Sequence, residues 1–373
     1  MRDLQLLYRG LAIGVEGADG ADCAWLREFL GPAFAARDGG ALDCAVRVVH
    51  DATALGDVRA RSAHDATGLV SFLALDRGPL RLPAWAAADG TRLVVHDDAR
   101  LAYRVAPDRR RVEVLSSPNN PALRTALMKV VRELAMSAAW SADSLVLHAA
   151  ACAVGEHALL IAGPKRAGKS SLLLHALRAR GVRLLSNDRV VVEHYRQRAT
   201  AHGMPTIVSL RPGTVEQLCA SATDPAAIFR CSHTLTIAEA AARARPDDLA
   251  VRALNTTPAQ LGYLLGVELI GHATPTALVL PRVDPDARGI VLRRIDADCA
   301  ADRLSDVLFG AALPPHVSEV LVPPQVPLLP GEADLRRLWR RIVERLRVFE
   351  CRLGPTAYAT DPAAAFVAPV LQD

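Results

Sequence analysis

The stretch IAGPKRAGKSSLLLHAL, residues 161–177, limits what this chain can fold into more than any other. Gly163, Gly168, Lys169 and Ser170 meet the spacing G-x-x-x-x-G-K-[ST]. That pattern has a physical meaning only after a strand and before a helix. The glycines let the backbone curl around phosphates, and successive N–H groups at the helix start supply fixed positive potential. The apolar residues before Gly163 read as the strand, and KSSLLLHALRARG reads as the helix, closed by Gly181. Residues Gly163, Lys165, Arg166, Ala167, Gly168, Lys169, Ser170 and Ser171 therefore form the expected nucleotide cradle. Lys169 reaches the β- and γ-phosphates, and the Ser170 hydroxyl ligates Mg²⁺. Lys165 and Arg166 have two readings: solvated side chains pointing outward, or a cation bent over the phosphates.

The rest of the chain offers this loop a globular setting. Its 373 residues are enough for two or three domains, and 51% hydrophobic with 23% charged residues is a folded composition. A net charge of +4 gives no electrostatic footprint for nucleic acid. Seven scattered cysteines without a CxxC pair are expected as reduced thiols in a cytoplasm, not as a disulfide framework or zinc site. No targeting segment is read at the N-terminus and no membrane partner is expected.

Along the chain, LQLLYRGLAIGV and CAVRVVHD read as strands, with CAWLREFLGPAFAA as a helix between them. TRLVVHD, LAYRVAP and RRVEVLSS read as a meander. A helix follows Asn119 and Asn120, with Leu123, Leu127, Val130, Val131 and Leu134 on one face. VRLLSNDRVVVEH is expected as a strand beside the phosphate-loop strand. Residues 221–262 read as Ala-rich helical pieces broken by proline, either a lid or a connecting layer. TALVLPRVD and GIVLRRID read as a closing strand pair. The final helix carries a stripe of Leu335, Leu338, Trp339, Ile342, Leu346 and Phe349.

Two further positions bear chemistry. Asp188, in LLSNDRV, follows Lys169 by one helix and one turn, where a carboxylate can hold Mg²⁺ or take a proton from an attacking hydroxyl. Its plain alternative is a turn residue that starts the next strand. His148 lies in the apolar strand LVLHAAACAV, where a lone histidine is usually a core residue.

Residues 147–192 as a whole resemble the catalytic segment of HPr kinase/phosphorylase and its relatives, among them lasso-peptide precursor kinases. The shared pattern is a His-bearing strand, the phosphate loop with its helix, and a strand ending in an Asp pair. The resemblance implies an α/β fold: a P-loop kinase core with a mixed sheet of the HPr kinase/PEP carboxykinase type, preceded by an α+β N-terminal region. It implies ATP (or another NTP) and Mg²⁺ as cofactors, and transfer of the γ-phosphate to a serine-type hydroxyl of a peptide, small protein or small metabolite. By position His148, Asp188 and Lys169 become the catalytic residues, and Ser170, Asp188 and Asn187 the metal-binding ones. Asn187 stands where the first Asp of the pair would be, and it cannot act as a base. Arg166 stands where relatives have a small residue, and no RGLG-type signature of the bifunctional enzymes is present. A nucleotide-binding sensor that hydrolyses slowly or not at all is the alternative. The expected organisation is 1–120 as a candidate acceptor-recognition module, 121–330 as the catalytic domain with its insertion near 221–262, and 331–373 as a C-terminal helical segment. The acceptor is expected to be a peptide or small protein ahead of a metabolite, and self-association is left open.

Overall fold

The computed structural model describes residues 4–75, 78–139, 143–221, 224–244, 250, 252–309, 320–321 and 331–371. The chain divides into two compact units. The first comprises Met1–Leu30, Phe34–Ser141 and Ala312–Leu329; the second comprises Gly31–Ala33, Ala142–Ala311 and Pro330–Asp373.

The first unit is built on strands β1 (Leu4–Tyr8), β2 (Leu11–Glu16), β3 (Ala35–Arg37), β4 (Cys44–His50), β5 (Gly68–Leu75), β6 (Gly78–Ala86), β7 (Arg92–His96), β8 (Leu101–Val105) and β9 (Arg111–Ser116). They make one mixed sheet in the order β3-β1-β2-β4-β9-β8-β7-β6-β5. Helix α1 (Gly20–Leu30) stops where Gly31–Pro32 follows, because proline cannot continue the hydrogen-bond ladder. The expected helix through Ala36 is therefore shorter, and Ala35–Arg37 becomes strand β3. Helix α2 (Ala52–Asp65), with Asp51 accepting from the Ala54 N–H at 2.8 Å, covers the meander with only Leu55 and Val58 buried. So narrow an apolar face explains why sequence periodicity does not reveal it. Helix α3 (Leu123–Ala139) buries Leu123, Leu127, Val130, Val131 and Leu134 as expected. It packs on α1, β2 and β4, so it belongs with the first unit and not, as the sequence reading had it, with the phosphate loop.

The second unit is a mixed α/β structure. Its strands are β10 (Ser144–Val154), β11 (His157–Ala162), β12 (Val182–Ser186), β13 (Arg189–Tyr195), β14 (Arg198–Met204), β15 (Val208–Leu210), β16 (Leu254–Thr256), β17 (His272–Val283), β18 (Ile290–Ile295) and β19 (Arg347–Leu353). Strand β10 organises them. Its first half, residues 144–148, pairs with β13, and its second half pairs with β11 on one side and β12 on the other. The phosphate-loop strand β11 and the strand β12 thus flank β10 instead of touching each other, which corrects the expected adjacency. Helix α4 (Lys169–Ala176) makes the crossover between them, and its Leu172 and Leu173 bury against Ala150, Cys152 and Ile161.

Strand β17 is long enough to pair with β14, β11 and β19 in turn. Strand β19 lies between β17 and β18, so the two strands expected as a closing pair are each bonded to a third. That third strand comes from the expected C-terminal stripe. Helix α9 (Glu332–Val343) buries Leu335, Leu338, Trp339 and Ile342, but Phe349 sits on β19 opposite Val279. Between β14 and β17 the chain adds helices α5 (Pro212–Ser221), α6 (Pro225–Arg230), α7 (Ile237–Ala241) and α8 (Pro258–Leu265). Pro225 and Pro258 each open a helix, capped by Asp224 and Thr257, so these two prolines are starts rather than breaks, while Pro246 lies outside the described residues. Among the described residues no helix is long and apolar enough to cross a membrane.

Since Phe349 fills the core beneath α4, Phe349→Ala is expected to cost about 3–5 kcal/mol in urea denaturation.

Candidate functional site

The phosphate loop takes the conformation its glycines permit. Gly163 has φ +151° and Gly168 has φ +101°, both outside the range natural to other residues. A methyl group on Gly168 would also stand 2.6 Å from Leu353 Cδ1 on β19. Helix α4 starts directly after Gly168 with no side-chain cap, leaving the first-turn amides facing the loop. Lys169 is buried and turned back into the loop, donating to the carbonyl oxygens of Gly163 at 2.8 Å and Pro164 at 3.0 Å. Burial presses its ammonium pKa below the ordinary value, and the charge of Asp188 opposes that pressure.

Lys165, Arg166 and Ser170 are exposed, and Ala167 is buried. Arg166 has φ +71°, a left-handed conformation that costs a non-glycine residue about 1 kcal/mol. That cost accounts for small residues being preferred at this point of such loops. Ser171 is half-buried and lies close to the Tyr358 hydroxyl of the C-terminal segment.

The second half of the site comes from a break in a strand. Strand β12 carries a bulge at Leu185–Ser186, and Asn187 and Asp188 then leave the ladder before β13 resumes at Arg189, opposite His148. The Ser186 hydroxyl closes this turn by donating to the Arg189 carbonyl at 2.5 Å. Such interruptions re-aim side chains, and here they send two neighbours in different directions. Asn187 donates to Thr206 Oγ1 at 2.8 Å, and its own Oδ1 is buried without a hydrogen-bond partner. Asp188 turns to the phosphate-loop side. Its Oδ1 lies 3.2 Å from His148 Nε2, and its Oδ2 lies 3.4 Å from Arg189 Nε.

The electrostatics follow from this arrangement. Burial resists ionisation of Asp188, but the His148 hydrogen bond and the charges of Arg189 and Lys169 outweigh it, so its pKa falls from 3.8 to about 2. The structure thus brings Lys169 and His148 to the Asp188 carboxylate. It adds Arg189, and it turns Asn187 away. Phe309 completes the surroundings, with its ring beneath the Arg189 guanidinium. More than a hundred positions separate it from Arg189, and no local pattern marks it. Arg282, on β17, is directed away from the loop. Pro281 and Val283 approach Gly163 and Gly168, and alternation along β17 points Arg282 away, towards Asp284.

Mg²⁺ was expected at Ser170, Asp188 and Asn187. Among the described residues no group of three or more His, Cys, Asp or Glu side chains could hold a metal ion. Ser170 at the start of α4 and the ionised Asp188 still suit an ion whose other ligands are phosphate oxygens and water. A separate cleft of about 260 Å³ lies among α6, α7 and α8 and shares no residue with this site. Arg230, the cation lining it, is paired with Asp224 at 2.9 Å.

No protein-family model matches the chain, and no curated protein does. Among solved structures it is similar to the Hpr(Ser) kinase/phosphatase from Coxiella burnetii, at 12% identity over 40% of this chain and 70% of that one, with a TM-score of 0.22. At that score the superposition carries no argument about activity or detailed fold.

Two measurements test the geometry. Gly168→Ala is expected to destabilise the protein by about 1–3 kcal/mol in urea denaturation, from backbone strain and overlap with Leu353. Asp188 has a depressed pKa, so its stabilising contribution is present above 3.8 and is lost as pH falls towards about 2. The difference in melting temperature between wild type and Asp188→Asn is expected to shrink across that window. A constant difference from pH 6 to pH 2 would show that the charge of Asp188 is not what the fold uses.

Proposed function

We propose that the chain binds ATP and Mg²⁺ at residues 163–171 and transfers the γ-phosphate to a hydroxyl group. One observation supports this most: a single ionised carboxylate, Asp188, stands among His148, Arg189 and the phosphate-loop lysine. A carboxylate held on the Lys169 side of the loop can orient an attacking hydroxyl as well as hold Mg²⁺. In the proposed reaction the triphosphate draws Lys169 off the Gly163 and Pro164 carbonyls and onto its β- and γ-oxygens. The acceptor hydroxyl donates a hydrogen bond to Asp188, attacks the γ-phosphorus in line and forms a new P–O bond. The bond to the β,γ-bridging oxygen breaks, ADP departs with that electron pair, and the hydroxyl proton passes to Asp188.

A carboxylate with a pKa of about 2 is a weak base. Transfer through a loose transition state moves that proton late, so Asp188 acts first by orienting the hydroxyl. His148 holds Asp188 Oδ1 and keeps the carboxylate turned towards the loop. Ser170 and Asp188 would hold Mg²⁺, which would supply positive charge against the charge that develops on the transferring phosphate.

The acceptor class follows from the resemblance of residues 147–192: a serine-type hydroxyl, on a peptide or small protein ahead of a metabolite. Nucleic acid and membrane have no part in the reading, and the seven free cysteines suit a cytoplasmic setting. The alternative, a nucleotide sensor with little or no turnover, draws on Asn187, which is directed to Thr206 and leaves one acidic group where relatives have two.

The assay is transfer from γ-labelled ATP with Mg²⁺ to panels of serine-containing peptides and hydroxylated metabolites. Lys169→Ala and Asp188→Asn are each expected to lower kcat/KM by about 10²–10⁴. Tight ATP binding with no labelled acceptor, and hydrolysis unaffected by Asp188→Asn, would establish the sensor instead.

A further inference from the structure

The interactions around Asp188 reach beyond the residues that the phosphotransferase reading uses. Leu308 forms an antiparallel bridge with Leu147, and the Phe309 N–H donates to the Val146 carbonyl at 2.8 Å. Residues 308 and 309 are thus an added rung on β10. Leu308 shares a sheet face with Leu147, so alternation puts Phe309 on the face that carries His148. Across β10, His148 is paired with Arg189. The row from Phe309 through His148 to Arg189 therefore crosses three strands on one face.

The contacts along this row are specific to an aromatic ring. The Arg189 guanidinium carbon lies 4.0 Å from the Phe309 ring centroid, and the His148 ring meets the same phenyl group edge-on at 6.4 Å and 84°. Arg189 and Phe309 are both buried, where a cation over a ring is held more firmly than at an exposed site. We infer that Phe309 is a positioning residue for Asp188, acting through the two side chains that hold the carboxylate oxygens. The ring fixes the plane of the guanidinium and closes one side of the imidazole, so the Asp188 carboxylate meets the loop at one angle. A residue that only filled space here would be replaceable by leucine, which has similar bulk and no π face.

This inference rests on the phosphotransferase reading, and the experiment separates the two. Phe309→Leu, Phe309→Tyr, Arg189→Lys and the Phe309→Leu/Arg189→Lys double variant are compared with wild type. The readouts are kcat and KM for ATP in the transfer assay, and the Arg189 Nε–H proton resonance, which a ring beneath the guanidinium shifts upfield. In Phe309→Leu the upfield shift is expected to disappear and kcat to fall about tenfold, with KM for ATP within about twofold. Phe309→Tyr keeps both the shift and most of kcat. The double variant is expected to lose less than the sum of the two single losses, because part of the ring's effect passes through the arginine.

An unshifted Arg189 resonance in wild type overturns the inference. So does a Phe309→Leu enzyme with wild-type kcat, an equal loss in Phe309→Tyr, or additive losses in the double variant. If Phe309→Leu does not fold, the wild-type resonance and the comparison of Phe309→Tyr with Arg189→Lys decide the matter. A wild type that transfers no phosphate removes the phosphotransferase reading and this inference together. A competent wild type with an unimpaired Phe309→Leu removes the inference alone.

Discussion

The hydrogen-bond ladder of β10 is the constraint on which the second unit depends. Every residue of the strand from Leu145 to Ala153 except His148 is buried, and its backbone groups are shared out among β11, β12, β13 and the rung at Leu308. A buried strand cannot leave those groups unpaired without a cost comparable to a lost hydrogen bond each. The divided pairing therefore fixes three things at once: where the phosphate loop leaves β11, where β12 breaks before β13, and where Phe309 approaches. His148, on the same strand between these points, needs no separate device to place it.

The second balance is between burial and charge at Asp188. A half-buried carboxylate alone would tend to hold its proton. Here two cationic side chains and a histidine reverse that tendency, so the group is ionised throughout the physiological range. The arrangement gives up basic strength for reliable charge and orientation. That trade suits chemistry in which the phosphorus–oxygen bonds change before the proton does.

Much of this organisation is legible in the sequence, and the parts that are not share a cause. The loop could be read because its glycines and Lys169 are spaced within one turn of backbone, and local geometry decides their roles. The buried face of α3, from Leu123 to Leu134, could be read because helical periodicity repeats it. Strand order could not. Val279 and Phe349 are neighbours only because β19 inserts beside β17, and nothing local at either residue encodes the other. The divergence of Asn187 and Asp188 was hidden for a similar reason. It arises from the bulge at Leu185–Ser186 and from Thr206, and no alternation pattern predicts where a ladder will slip. Helix α2 escaped notice because so few of its residues are apolar and buried.

The inward turn of Lys169 has a consequence for which anions the loop admits. Two of the three donors of its ammonium are taken by carbonyl oxygens of the same loop. An entering anion must break those contacts before it gains the lysine. On the nucleotide-binding reading, a triphosphate long enough to span the loop would make more new contacts than a lone phosphate, which can meet only part of it. On that reading the loop would be a threshold device: the chain length of the polyphosphate, more than its charge, would decide whether it opens.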